Sequence, residues 1–216
     1  MTYPTRKIIS ATLLGLCLCV AALFTLDQSL ALYFNQPELQ SLWLAARNIT
    51  NAGLSEHYFI ISILTYVFCK WIRPQYVRAR IWGRNFFFAL IGSGILVHIV
   101  KFTFGRQRPH MSPDFNPWVF HPLNIDWNYH SFASGHSQVM FTVATFLSLG
   151  LPKWKWVFIS VATIFAFTRV IIHDHFLSDI IGGAVIGYVG TITSLYWVQR
   201  FTTRRLEPCR PDRKTS

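Results

Sequence analysis

Apolar and polar positions alternate along this chain in blocks, with long apolar runs at 8–26, 58–72, 86–104, 132–151, 156–172 and 180–198. Runs of this character predict membrane-spanning helices, and Trp71 between Lys70 and Arg73 fits an interfacial anchor at the end of the second. The first run follows Arg6 and Lys7. It is longer than a signal peptide's apolar core of about 7–15 residues, and Ala21-Ala22 leads into Leu23-Phe24 rather than a cleavage site. It therefore reads as an uncleaved first span.

The segments between the runs differ in kind. Within 27–55, the stretch 37–51 places Leu39, Leu42, Trp43, Ala46 and Ile49 at helical spacing, with Pro37 suited to a start and Gly53 to a stop. That pattern predicts an amphipathic helix lying on the outer interface. Asn48-Ile49-Thr50 matches a glycosylation sequon, read within a helix as a chance match. Arg73, Arg78, Arg80 and Arg84 belong to a basic loop, 105–131 is a loop with four prolines and no periodicity, 152–155 is a tight turn, and 199–216 is a basic, disordered tail. The expected fold class is all-α: a single domain over 1–216, built as a polytopic bundle of six transmembrane helices with an outer-face amphipathic helix.

Composition agrees. The chain is 52% hydrophobic and 13% charged, against about 25% charged in soluble domains. The net charge of +11 does not indicate a nucleic-acid partner, because its distribution follows the spans. Six spans put both termini, the 70–84 segment and the 153–155 turn on one side, with fifteen of the twenty Lys and Arg residues. The other side holds Arg47, Lys101, Arg106, Arg108 and Arg169, and seven of the nine acidic residues. By the positive-inside rule the rich side is cytoplasmic. Cys17, Cys19, Cys69 and Cys209 all fall in spans or basic segments, so no disulfide framework is implied.

Three polar clusters interrupt the apolar pattern, and all three fall on the outer side. In the first, Lys101 and Arg108 are seven residues apart. On a continuous helix they would share a face and repel unless an anion, such as a phosphate, sat between them. Arg106 would point elsewhere, toward headgroups, and Pro109 would end the helix. In the second, Ser134-Gly135-His136 opens a span, where free N–H groups favour an anion, Gly135 allows close approach and His136 could protonate a leaving oxygen. In the third, His175 and Asp179 are four apart, so on a continuing helix the carboxylate can fix one ring nitrogen and leave the other as a nucleophile. Arg169 is off that face unless the chain breaks between the fifth and sixth spans. His173, Asp174, His175 and Asp179 are also all possible metal ligands, but Lys101, Arg108 and Arg169 would oppose a bound cation.

Lys101-x6-Arg108-Pro109, Ala133-Ser134-Gly135-His136 and Thr168-Arg169-x5-His175-x3-Asp179 together resemble the type 2 phosphatidic acid phosphatases, integral-membrane relatives of the soluble vanadium haloperoxidases. The family pattern is K-x6-R-P, P-S-G-H and S-R-x5-H-x3-D. Ala133 and Thr168 depart from it without removing a catalytic side chain, and the resemblance covers about 56–198. It implies that His175 attacks phosphorus to form a phosphohistidine, Asp179 orients it and His136 protonates the leaving oxygen. Lys101, Arg108 and Arg169 would hold the phosphate with Ser134 and the Gly135 amide, and neither metal nor cofactor is needed. His98, His110, His121, His130 and His173 are left as packing or loop residues. The implied partner is a phosphorylated membrane lipid: undecaprenyl pyrophosphate, phosphatidylglycerol phosphate, phosphatidic acid or lipid A. In a bacterium the active site would be at the periplasmic face of the inner membrane. A lipid-binding or transport protein on the same fold is the alternative.

The charge asymmetry predicts that 27–55 and 105–131 face outward. A single cysteine at Ser112, in an otherwise cysteine-free chain, is expected to react with an impermeant thiol reagent in intact cells. Reaction only after lysis would reverse the orientation.

Overall fold

The structure is a computed structural model that describes residues 4–204. Eight α-helices are described: α1 (Thr5–Thr25), α2 (Asp27–Phe34), α3 (Gln40–Ile49), α4 (Ser55–Trp71), α5 (Val77–Phe104), α6 (Gly135–Gly150), α7 (Lys155–Ile171) and α8 (Leu177–Arg204). The described residues contain no strand beyond one isolated antiparallel bridge between Arg106 and Phe120. Four segments are long and apolar enough to cross a bilayer: α1, α5, Pro152–Ile171 and the Leu177–Thr202 part of α8. Helices also occupy the other two predicted positions. However, α4 and α6 have 17 and 16 residues, and at about 1.5 Å per residue they are shorter than a hydrocarbon core of about 30 Å.

Several boundaries differ from the sequence expectation. The basic segment before the third run is not a loop, because α5 starts at Val77 and carries Arg78, Arg80 and Arg84 on its first turns. α8 continues through 199–204, where a tail was expected. The remainder of that tail, with Cys209, lies outside the described residues. α2 was not anticipated. The expected amphipathic helix is a 3-10 turn, Pro37–Leu39, leading into α3. Ala46 is buried where α3 packs on α7, while Leu42 and Ile49 remain exposed.

α8 is the hub of the bundle, packed on α1, α5 and α6. Small residues make this possible. A Cβ on Gly187 would lie 2.5 Å from the Gln138 carbonyl oxygen of α6, and one on Gly190 would lie 2.6 Å from Ser93 Cα of α5. Close backbone approach of this kind is how helices associate where lipid removes the hydrophobic drive. Polar side chains add a clamp between α5 and α6. Gln138 donates to Ser93 (2.7 Å) and Thr142 (3.2 Å), and Thr142 donates to Ser93 (2.9 Å). The outward surfaces of the spans are apolar and bare, with Leu14 at 63% and Phe24 at 70% exposure on α1 and Ile164 at 60% on α7. A water-facing surface does not carry apolar area on this scale, and a lipid-facing one does.

The termination of α5 decides where the first cluster goes. Gly105 takes the left-handed conformation (φ 56°), and its N–H caps the Lys101 carbonyl at 2.9 Å. Its carbonyl accepts from His121 N at 2.7 Å, and a Cβ would run into the His121 backbone. The helix therefore stops before Arg106 and Arg108. Pro109 does not end it, but opens a separate 3-10 turn, Pro109–Met111. Gly105→Ala is expected to cost at least about 1 kcal/mol for the left-handed backbone alone, with the clash added, read as a lower thermal midpoint of the detergent-purified protein. An unchanged midpoint would contradict this account of the helix end.

Candidate active site

The C-terminal ends of α5 and α7 and the N-terminal ends of α6 and α8 meet at one end of the bundle, and the three polar clusters sit there. Lys101, Arg108, Gly135, His136, Arg169 and His175 all line a single cavity of ≈ 440 Å³. Its other walls are Trp127, the Gly53–Leu54 turn, Ser55, Glu56 and Phe59 of α4, and an apolar face of α5 (Leu90, Ile91, Ile95, Val97) that also carries His98.

Lys101 reaches the cavity from the last turn of α5, where it is buried and donates to the His130 carbonyl at 2.6 Å. Arg108 arrives from the loop, so the two share a site through chain reversal at Gly105 and not through a common helix face. The Arg108 guanidinium lies over Trp127, 4.7 Å from the ring centroid, and Nε donates to the Trp127 carbonyl at 3.2 Å. Arg169 ends α7. It pairs with Asp174 and donates to Thr50 Oγ1 at 3.1 Å. Its Nε is buried with no partner, a costly state for a cationic donor unless a ligand completes it. Asp174, 3.7 Å from Arg108, is the carboxylate shared by both arginines.

α6 begins as expected. Ser134 is its N-cap and accepts from Ser137 N at 3.4 Å, so the hydroxyl is used in the cap. Ser134 N donates to the Asp179 carbonyl at 2.9 Å, which ties the starts of α6 and α8 together. Ala133, in the position where the family pattern has proline, is fully buried, and the Phe132–Ala133 peptide is cis. The Thr168 hydroxyl is retained in a role of its own, donating to Phe165 O at 2.6 Å and lying 3.0 Å from Thr50 Oγ1. His136 is half-buried, with its ring beside Gly53, where a Cβ would come within 2.9 Å of Cδ2.

The third cluster is not on a continuing helix. The chain turns at 172–176, with His173 at φ 59°, and α8 starts only at Leu177. This break carries Arg169 and His175 into the same cavity. Asp179 is the third residue of α8, and its Oδ2 accepts from the Phe176 N–H at 2.8 Å, one half of a capping box. Asp179 Oδ2 stands 3.7 Å from His175 Nδ1, beyond a hydrogen bond. Ser131 lies between them. Its hydroxyl donates to Asp179 Oδ2 at 2.6 Å and is 3.4 Å from His175 Nδ1. The Nδ1 side of the ring therefore faces the Ser131–Asp179 pair. Burial, and after it the charges of Arg108, Lys101 and Arg169, hold the His175 imidazole well below its ordinary pKa, so it is neutral near pH 7.

Arg106 corrects the sequence reading most sharply. It does not contact headgroups: it is 1% exposed. One nitrogen meets Asp179 Oδ1 at 2.6 Å and the Ser178 hydroxyl at 2.7 Å, another meets Asp27 Oδ2 at 2.8 Å, and Nε donates to Pro117 O at 3.0 Å. His173 turns away from the cavity, stacking on Phe115 with Nε2 3.0 Å from the Ala31 carbonyl. Among the described residues, no three His, Cys, Asp or Glu side chains converge as a metal site. Of the expected site residues, Lys101, Arg108, Gly135, His136, Arg169 and His175 line the cavity and Ser134 and Asp179 do not; the sequence assigned Arg106 to headgroups and Asp174 to a possible metal set, and missed Asp27, Thr50, Ser131 and Ser178. Asp27 carried a signal as a charge at the end of an apolar run, and Arg106 and Asp174 were visible within their polar clusters.

Residues 82–203, more than half of the chain, match the family described as the PAP2 superfamily. The chain belongs to that family. It is 32% identical over 105 residues to a lipid A 1-phosphatase of Rhizobium johnstonii, covering 49% of this chain and 43% of the relative. It is 30% identical over 95 residues to an undecaprenyl-diphosphatase of Sulfolobus acidocaldarius, covering 43% and 44%. The matched segment thus spans less than half the length of either relative. The crystal structure of a transmembrane PAP2-type phosphatidylglycerolphosphate phosphatase from Bacillus subtilis superposes with a TM-score of 0.60 at 21% identity, over 94% of this chain and 99% of that one. That likeness shows the fold. The four long apolar helices make the chain an integral membrane protein.

Proposed function

We propose that this protein is a lipid phosphatase that works through a phosphohistidine, without metal. The observation that carries the reading is the shared cavity. Three cations, His136, His175 and one unpartnered guanidinium N–H gather at the polar end, Glu56 and His98 also line the cavity, and the wall beyond them is the apolar face of α5 with Phe59. A phosphate fits the first part and a hydrocarbon chain the second.

In this reading Lys101, Arg108 and Arg169 take the phosphoryl oxygens, joined by backbone N–H groups of Gly135 at the start of α6. Ser134 shapes that start through its cap. His175 Nε2 attacks phosphorus while Nδ1 keeps its proton toward Ser131 and Asp179. The bond from phosphorus to the leaving oxygen breaks, and His136 gives that oxygen its proton. Water then attacks the phosphohistidine, His136 takes a proton from it, and the phosphorus–nitrogen bond breaks to release phosphate.

The topology is proposed with it: α4 and α6 complete six spans, α3 lies at the outer interface, both termini are cytoplasmic and the cavity opens at the periplasmic face of a bacterial inner membrane. The candidate substrates are lipid A, undecaprenyl pyrophosphate, phosphatidylglycerol phosphate and phosphatidic acid. Phosphate release from these four purified lipids tests the function directly. Release from none of them, with orthovanadate still bound, would favour a non-catalytic lipid-phosphate binder.

Two further outcomes are expected. Activity should survive exhaustive chelation and be inhibited by orthovanadate, whereas a chelated enzyme restored by zinc or magnesium would overturn the metal-free mechanism. The two histidines should also separate by leaving group. His136→Ala is expected to lose about 10²–10⁴-fold on a lipid monoester and much less on p-nitrophenyl phosphate, whose leaving group needs no proton. His175→Ala should be inactive on both, Asp179→Asn should fall between, and rapid quenching into alkaline denaturant, which spares a phosphohistidine, should trap labelled phosphate on wild type and not on His175→Ala. Turnover by His175→Ala, or label on His136 or His173, would reverse the assignment.

A further inference from the structure

The Asp179 carboxylate has its oxygens fully engaged. Oδ1 accepts from Arg106, and Oδ2 accepts from Ser131 and the Phe176 amide. A guanidinium on a carboxylate cancels its charge. Arg106 and Asp179 alone would make a neutral pair, with little to offer an imidazole that becomes positive as its Nε2 bonds phosphorus. Asp27 changes that balance. It sits at the start of α2, 1% exposed, and takes the other face of Arg106. Two carboxylates against one guanidinium leave one net negative charge, buried beside His175.

We propose that Asp27 is a positioning residue for the reaction: acting through Arg106, it fixes the Asp179 carboxylate and keeps the cluster beside His175 anionic. The proposal rests on the phosphatase reading above. Asp27 lies outside the segment matched to the family and 151 residues before Ser178. Donors meet both of its oxygens. Oδ1 accepts from Ser178 N at 2.9 Å, and Oδ2 accepts from the Ser178 hydroxyl at 2.5 Å and from Arg106 at 2.8 Å. Burial raises this carboxyl above its ordinary pKa and the nearby Asp179 charge adds to the rise, while Arg106 and the Ser178 hydroxyl oppose it without cancelling it. Three donors occupy three of the carboxylate's four acceptor positions, a shell that favours its charged form. Ser178 bridges the array, accepting from Arg106 while donating to Asp27, so both carboxylates are read by one rigid fork. Asp27 touches no cavity-lining group. It acts on the chemistry only through Arg106 and Asp179.

The test is steady-state hydrolysis of p-nitrophenyl phosphate by the detergent-purified full chain, with orthovanadate inhibition measured in parallel. Asp27→Asn is expected to lower kcat by about 10- to 100-fold, the scale of a displaced catalytic group, with KM and vanadate inhibition unchanged because the phosphate-binding cations are untouched. The double variant Asp27→Asn/Asp179→Asn should be no slower than Asp179→Asn alone, since Asp27 acts through that carboxylate. A merely structural staple would reduce the yield of folded protein and leave kcat per vanadate-binding site intact. Ser178→Ala, which keeps both carboxylates and loosens the fork, should show a smaller kcat loss at unchanged KM. That variant decides the matter if Asp27→Asn does not accumulate. An unchanged kcat in the variant that decides, or additive losses in the double variant, overturns the proposal. Wild type that turns over neither p-nitrophenyl phosphate nor any of the four lipids overturns the phosphatase reading, and this one with it.

Discussion

The Arg106 guanidinium, held between two buried carboxylates, is the contact on which the rest of the site depends. Removing a charge from water is expensive, and a buried ion pair persists only with good geometry and further hydrogen bonds. Arg106 has both: it meets Asp27, Asp179, Ser178 and the Pro117 carbonyl, and its plane lies 4.3 Å from the centroid of the Phe176 ring. The partners come from three parts of the chain: Asp27 after α1, Pro117 in the loop, and Phe176, Ser178 and Asp179 at the start of α8. The same interaction fixes the start of α8, the course of the 105–131 loop and the corner after α1. Loss of one partner from such an array costs about 3–5 kcal/mol, because the others are left buried and unmatched.

Around that fixed point the chemistry divides by chain segment. The loop brings Arg108 and Ser131, the helix ends bring Lys101, His136 and Arg169, and the 172–176 turn brings His175. Asp174 holds two arginines whose charges would otherwise repel. Thr50 steadies one of them from the segment before α4. The cations are thus preorganised by groups that do not reach the cavity, and the cavity surface is left to the groups that would meet a phosphate.

Much of this was legible in the sequence, and the reasons for the rest are physical. Long apolar runs announce helices, because lipid leaves the backbone no other partner. The motif spacings named the cavity residues, since they reflect helix ends meeting at one level. The geometry behind those spacings was misread. Lys101 and Arg108 looked like neighbours on a helix face, yet Gly105 breaks the helix between them. His175 and Asp179 looked like a helical pair, yet a turn and the Ser131 hydroxyl intervene. Arg106 could not be placed, because spacing from Arg108 says nothing about Asp27, 79 residues earlier. Thr50 and Asp174 act through tertiary contact alone, which no local pattern encodes.

The array joining Asp27, Arg106 and Asp179 also sets an order of events. Chains are made and inserted from the N-terminus. Asp27 emerges behind the first helix, Arg106 after α5, and Ser178 and Asp179 only with α8. Until that last helix docks, Asp27 and Arg106 lack the groups that complete their shell, and His175 has no carboxylate behind it. On the function proposed above, catalytic competence is therefore the final product of biogenesis. A nascent chain halted just before α8 would already hold most of its spans, and not yet the array behind His175.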